Sequence, residues 1–318
     1  MALPRLRRRT GKPARADRRP APGAEGWGLE EGDELVDGVV VLRTLGGGRL
    51  HEALLVWDAR RYALMVAKAL RPAVVADTGA LRALRREAEA LAALEHPAIV
   101  RCFDAALEGP RPHLLLEHLE GPPLRRLIRR GGPLPLEQLV PLALHLAAAL
   151  HFLATRGWVH LDVKPDNVIV GLPPRLIDLS LARPVARARR LAGPAGTDAY
   201  MAPEQCLPER LADRIGPATD VFGLGATLFQ AAAGTRPFPR PEGARDADDR
   251  RIRFPQLVAD PAPLPPRTPP ELAELLAAML ARDPAARPSA AEVVERLEPL
   301  AERLPRRLVL SPRGARGR

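Results

Sequence analysis

Apolar residues change their spacing once along this chain, and that change restricts the fold more than any other feature. From about Glu34 they come in short runs. VVVLRTL (39–45) leads into three glycines, followed by ALLVWD (53–58), a polar turn at Ala59–Arg61 and YALMVAKAL (62–70). Runs of this length bounded by turn residues predict three strands. LRALRREAEALAAL (81–94) has helical spacing, with Asp77 or Thr78 as its cap, and IVRCFDA (99–105) and HLLLEH (113–118) predict two more strands. After Gly121 helical spacing dominates, at 136–156, 218–233, 270–281 and 289–302, interrupted by strand-like NVIVG (167–171) and RLID (175–178). Proline-rich connections at 237–242 and 259–270 separate some of these helices. The expected fold is α+β and bilobal. A small β-rich N-lobe with one helix spans about 34–117 and a larger, mainly helical C-lobe about 121–302, leaving a cleft between them as the natural ligand site.

The location of charge narrows the partners. The chain has 318 residues and a net charge of +10, but residues 1–25 hold eight Lys/Arg against two acids and residues 301–318 six against one. The intervening body is therefore close to neutral, and the basicity belongs to two tails, 1–33 and 303–318. Their Pro and Arg content predicts solvated, disordered segments. An acidic partner for the tails stays open, while nucleic-acid binding is disfavoured. LVPLALHLAAALHFLA (139–154) is the most apolar stretch, but it carries two histidines and reads as a buried helix rather than a membrane span. The N-terminus lacks an apolar signal core, so a cytoplasmic protein is expected. Cys102 and Cys206 are too few and too far apart for a disulfide framework or a zinc cluster.

Residue supply then points to chemistry. The chain has 45 arginines but only three lysines, Lys12, Lys68 and Lys164, and a single asparagine, Asn167. Two of these four rare residues stand together in VHLDVKPDNVIV (159–170), two and five residues after Asp162. Asp162, on a turn, can orient a hydroxyl nucleophile and accept its proton. Lys164 can place a compact charge beside a transferring phosphoryl group. Asn167 offers a neutral, hard oxygen suited to magnesium, and Asp178 a carboxylate for the same ion. Arginine is not a compact ammonium, and aspartate lacks the neutrality of asparagine. Such requirements explain rare residues at fixed spacing.

The same reasoning applies to Lys68. It ends the strand-like LMVAK, with Glu87 on the following helix as a candidate partner; Glu89 competes, but the register of RREAE favours Glu87. LGGG (45–48) lies upstream in a turn, where glycine N–H groups can approach phosphates.

Taken together, HxDxKxxN, a later strand-end Asp, and a VAK lysine followed by a helical Glu resemble the protein-kinase signature set. GTDAYMAPE (196–204) resembles the family's acceptor segment and DVFGLGATLFQAAAGTRPF (220–238) the helix that anchors the large lobe. RDPAARPSAAEV (282–293) resembles the closing helices, with Arg287 matched to Glu204. The resemblance covers about residues 36–300 and lies closest to bacterial eukaryotic-like Ser/Thr protein kinases. It implies ATP and Mg2+ as cofactors and a Ser/Thr-bearing protein as substrate. Asp162 would be the catalytic base and Lys164 the γ-phosphate contact, with Asn167 and Asp178 binding magnesium. Gly46 and Gly48 would cover the phosphates, and Lys68, held by Glu87, would contact the α- and β-phosphates. Glu117 to Leu119 would receive adenine through backbone groups, and Thr197 would help define the acceptor class.

Three departures matter. His51 stands at the third glycine of GxGxxG, DLS (178–180) replaces DFG, and Leu161 replaces the HRD arginine that commonly pairs with a phosphorylated activation loop. The segment Leu181–Gly196 contains no Ser, Thr or Tyr. The last two absences agree, and predict activity without phosphorylation of this segment. Its arginines, Arg183, Arg187, Arg189 and Arg190, predict a solvated basic loop, with docking of an acidic substrate as the alternative. His160, although beside Asp162, is expected to be structural. His145 and His151, six residues apart, do not share a helical face for a metal. Two other functions stay open: a pseudokinase serving as a nucleotide-binding interaction module, and a small-molecule phosphotransferase sharing HxDxxxxN.

Overall fold

The computed structural model describes residues 25–244, 247 and 249–304. The chain divides into two compact units, Met1–Leu81 with Ala105–Leu115, and Arg82–Asp104 with Leu116–Arg318. The division falls inside the first helix rather than only at the expected connection near residue 118.

The first unit is built on antiparallel strands. A six-stranded sheet contains β1 (Glu34–Val36), β2 (Val39–Gly47), β3 (His51–Asp58), β4 (Ala63–Leu70), β5 (Cys102–Ala106) and β6 (His113–Glu117), in the order β1-β2-β3-β4-β6-β5. Period-two patterning sets its faces. Leu54, Val56, Met65, Ala67 and Ala69 turn into one apolar cluster with Leu35, Val39, Val41 and Leu115, so Lys68 is on the opposite face of β4, across from Ala53 of β3.

The basic tail expected to reach residue 33 is shorter among the described residues. Trp27 donates its backbone N–H to Glu52 at 2.9 Å and its indole N–H to the Leu70 carbonyl at 2.8 Å, beneath the Arg111 guanidinium. A large amphipathic ring that finds both cover and an acceptor stays ordered. The rest of that segment and the expected tail 305–318 lie outside the described residues.

Helix α1 (Thr78–Ala93) begins where Asp77 accepts the N–H groups of Gly79 and Ala80, which settles the cap in favour of Asp77. The second unit continues with α2 (Leu124–Gly131), which has no counterpart among the expected helices, and α3 (Leu136–Thr155). Next come β7 (Trp158–Val159), β8 (Val168–Ile169), β9 (Arg175–Leu176) and β10 (Arg183–Pro184), pairing β7 with β10 and β8 with β9. Short helices α4 (Val185–Ala188), α5 (Pro203–Cys206) and α6 (Pro208–Leu211) precede α7 (Pro217–Ala233), and α8 (Arg250–Arg253), α9 (Pro270–Met279) and α10 (Ala290–Glu302) complete the chain.

Helix boundaries follow local chemistry. Pro217 occupies the first turn of α7, and Gly234 ends it in the left-handed region at φ 80°. Ser289 and Glu292 exchange hydrogen bonds as a capping box on α10. Helix α3 is long and apolar enough to cross a membrane by length and composition alone. In this fold it is a core element: Leu139, Val140, Leu142, Leu146 and Leu150 pack in one cluster with Leu224 and Leu228 of α7 and Val293 and Leu297 of α10.

Candidate active site

The site is assembled from the second unit, starting with the backbone after β7. Leu161 has φ 67°, a left-handed value that a branched side chain adopts only under outside constraint. Asp220, in the first turn of α7 and 3% exposed, supplies it: its carboxylate accepts the N–H groups of His160 at 2.6 Å and Leu161 at 2.8 Å. Burial pushes the Asp220 pKa up to about 7 against the pull of these two donors. His160 is fully buried, and burial pushes its pKa down. The Asp162 N–H donates to its Nδ1 at 3.2 Å. The ring thus helps to shape the turn.

This turn delivers a closely bonded cluster. Thr197 donates its hydroxyl to Asp162 Oδ1 at 2.7 Å and accepts from Lys164 Nζ at 2.7 Å. Lys164 Nζ also lies 2.5 Å from Asp162 Oδ2. Asn167 donates Nδ2 to the Asp162 backbone carbonyl at 3.0 Å and to Oδ2 at 3.2 Å. With both amide hydrogens committed to Asp162, the Asn167 side-chain oxygen is aimed away from it. The N–H of Ile177 donates to the Asn167 carbonyl at 2.8 Å, and so places Asp178 (φ 65°) next to Asn167. Asp178 and Thr197, 16 and 35 residues beyond Asp162, are thus brought to Asp162, Lys164 and Asn167.

The acceptor segment is fixed from below. Arg287 makes two hydrogen bonds to Glu204, at 2.7 and 2.9 Å, with side chains 0% and 1% exposed, and Thr219 adds a third at 2.8 Å. The pair matched from sequence therefore forms. Gln205 donates to the Leu161 carbonyl at 2.8 Å and the Ala195 carbonyl at 2.7 Å, tying the turn before Asp162 to the segment before Thr197. At Gly196, with φ 135°, an added Cβ would lie 2.8 Å from the Leu161 carbonyl oxygen, so only glycine admits this approach. Asp198 is buried enough for its pKa to be raised, yet the Arg253 and Arg240 guanidinium groups hold it below the usual range.

Leu161 has a definite place. Its side chain is 3% exposed in a cluster with Val159, Ala188 and Ile215, packed by Leu181, Val185 and Leu191. The segment 181–196 thus rests on apolar contacts where sequence reasoning noted a missing arginine.

The remaining expected site residues stand as follows. In the first unit, Lys68 is half-buried on β4. Of the glycines, Gly46 has φ 130° and Gly48 accepts Arg71 Nε at 2.9 Å. Gly47, not singled out from sequence, is the position with no room for a side chain, since a Cβ would meet the His51 carbonyl at 2.3 Å. In the second unit, Glu87 is 1% exposed on α1. Glu117 donates its backbone N–H to the Arg101 carbonyl at 2.9 Å and its carboxylate accepts from Arg175 at 3.2 Å, and Leu119 is half-buried just beyond. The Glu117 N–H is therefore committed within the fold.

Sequence reasoning also passed over Asp220 and Gln205 individually. Asp220 opens a quoted motif and Gln205 directly follows one, but their signal is conformational, since each holds backbone rather than reacting atoms. Among the described residues no three His, Cys, Asp or Glu side chains converge on a metal position. The donor set at the cluster is two hard oxygens, from Asn167 and Asp178. That number suits magnesium, which takes few protein ligands and completes its shell with phosphates and water.

Comparison with known proteins decides the family. Residues 39–297 match the family model described as protein kinase domain. This chain belongs to the protein kinase family. Its kinase domain is 32% identical over 203 residues to serine/threonine-protein kinase PknB of Mycobacterium leprae, covering 61% of this chain and 32% of that protein. It is 31% identical over 256 residues to serine/threonine-protein kinase PknA of Mycobacterium tuberculosis, covering 78% and 56%. The chain spans less than two thirds of the length of these relatives.

Proposed function

We propose that this kinase domain is an active serine/threonine protein kinase that uses MgATP and works without phosphorylation of segment 181–196. The supporting observation is the Thr197 hydroxyl bonded to both Asp162 and Lys164. Asp162 Oδ2 already takes Lys164 and Asn167, whereas Oδ1 takes Thr197 alone. A carboxylate oxygen has two lone pairs. Oδ1 thus retains one for the substrate hydroxyl, whose proton it accepts as the oxygen attacks. Lys164 lies beside that oxygen and offers its charge to the phosphoryl group. Asn167 and Asp178 would hold magnesium, which supplies charge neutralisation between phosphate oxygens when bound. Lys68, with Glu87 as its assigned acid, would take the α- and β-phosphates, with Gly46 to Gly48 above them, and the Glu117 carbonyl and Leu119 would receive adenine. Catalysis of this kind rests on positioning and preorganised charge.

The names of the relatives support a Ser/Thr protein substrate, and a cytoplasmic site of action belongs to the same reading. The buried Leu161 cluster supports independence from loop phosphorylation, because apolar contacts and backbone hydrogen bonds, with no phosphate, hold the segment. Transfer of labelled phosphate from MgATP to a generic basic protein tests the activity, with Asp162→Asn and Lys68→Met alongside. Transfer by the wild type that both substitutions abolish is expected. A wild type that binds ATP but transfers nothing to basic, acidic or neutral acceptors would favour the pseudokinase alternative, to which His51, Leu161 and DLS lean.

A further inference from the structure

Within the first unit, the glycine turn is tied to the segment in front of β1 through residues to which sequence reasoning gave no role. Gly46, Gly47 and Gly48 lead from β2 toward β3, and three successive glycines have wide backbone freedom unless something restrains them. Arg71, directly after β4, restrains this turn twice. Its Nε donates to the Gly48 carbonyl at 2.9 Å and its backbone N–H to the Leu50 carbonyl at 2.9 Å. Leu70, one residue earlier, accepts the Trp27 indole N–H, and Trp27 gives its backbone N–H to Glu52 on β3. The Arg111 guanidinium covers the Trp27 ring at 5.3 Å and is itself fixed by the Glu34 and Leu35 carbonyls, each at 2.9 Å. Leu29 packs on the apolar cluster of the sheet. Residues 26–29 thus form a strap fastened to the ends of β3 and β4.

Buried charge makes the strap matter to the turn. Glu52 is 6% exposed and Arg71 5%. Both lie against Gly26, where an added Cβ would strike the Glu52 carboxylate and come 3.5 Å from Arg71 Nη1. An acid and a guanidinium withdrawn from water keep a fixed geometry only while their cover stays in place. Losing the ring that anchors the strap would readmit water to both groups, and Arg71 would lose the constraint that aims Nε at Gly48.

We propose that Trp27, Glu52 and Arg71 are positioning residues for nucleotide, holding the glycine turn with its N–H groups already arranged for phosphate; this rests on the reading of the chain as an MgATP-dependent kinase. A turn ordered before binding costs less to order on binding. The strap therefore sets affinity for nucleotide, and an interaction of that kind moves KM while leaving kcat in place.

Two measurements on the full chain test this: the Kd for MgATP by calorimetry, and amide hydrogen exchange across residues 46–50, which reads local opening of the turn. Trp27→Ala and Arg71→Met are each expected to raise Kd about tenfold, as a lost preorganisation would, and to speed exchange at the turn. Arg71→Lys, which keeps a donor for Gly48, should recover part of both effects. Val56→Ala, a core truncation in the same sheet, serves as the comparison: it should lower Tm and leave Kd and exchange at 46–50 near their wild-type values. A Trp27→Ala protein that loses Tm but keeps wild-type Kd and exchange would overturn the proposal, and so would a Val56→Ala protein altered in both as strongly as Trp27→Ala. A wild type that binds no MgATP would overturn the kinase reading and this proposal together, whereas a wild type that binds it, indifferent to Trp27 and Arg71, overturns this proposal alone.

Discussion

Asp220 holds the backbone N–H of Leu161 at 2.8 Å, across 59 residues of sequence, at a peptide whose φ is 67°. The residue after that peptide is Asp162, so the direction of the proposed base depends on a buried acid that never touches a substrate.

Asp220 therefore has a pH signature. Burial raises its folded pKa from 3.8 to about 7, so the native state binds the proton more tightly than the unfolded chain. Its contribution to stability is full below pH 4 and declines as pH rises through about 7, with a slope of up to about 1.4 kcal/mol per pH unit. Urea denaturation from pH 4 to 8 should show wild type losing stability relative to Asp220→Asn over this window and running parallel to it above. Curves parallel throughout would refute the assignment.

Replacing one member of the Glu204–Arg287 pair should be far worse than replacing both. Arg287→Met leaves an uncompensated carboxylate 1% exposed and is expected to cost about 3–5 kcal/mol. Glu204→Gln combined with Arg287→Met should recover part of that loss in the same denaturation experiment. A double variant as unstable as the sum of the singles would mean that the two residues do not act as a pair.

Thr197 bears on positioning rather than on proton transfer. Thr197→Ala should lower kcat about 10- to 100-fold, as expected when reacting groups lose their alignment, while Thr197→Ser keeps the hydroxyl and most of the rate. Asp162→Asn should cost about 10²- to 10⁴-fold and leave nucleotide affinity intact. Equal activity of the Ala and Ser variants would remove Thr197 from the mechanism.

The Leu161 cluster predicts two results. Phosphatase treatment should leave activity unchanged, and restoring an arginine should harm the protein. Leu161→Ala is expected to cost about 2–5 kcal/mol, and Leu161→Arg at least as much, since an unpaired charge would enter the surroundings of Val159, Ala188 and Ile215. A marked loss of activity on dephosphorylation, or a stable and more active Leu161→Arg protein, would count against phosphorylation-independent ordering.

Much of the architecture was legible from spacing. The long helices α3, α7, α9 and α10 and the strands β2 to β4 fall within a few residues of their expected bounds, because an amphipathic period reports directly which face is buried. Helix α2 escaped because its eight residues, LRRLIRRG, bury only Leu124 and Ile128. The tail boundary escaped because Trp27 is ordered by Glu52 and Leu70, which are 25 and 43 residues away.

The sequence alone determined which atoms are available for chemistry: a lone asparagine, a rare lysine and an aspartate at fixed short spacing, and a segment 181–196 without a phosphate acceptor. Only the tertiary structure decided where those atoms are held. Asp220, Gln205 and Thr197 act across 35 to 60 residues on backbone and carboxylate groups near Asp162, and the apolar burial of Leu161 gives a missing arginine a physical meaning. Local spacing encodes residue type and face. Pairings between distant residues arise only when burial of the core forces each polar group withdrawn from water to find a partner.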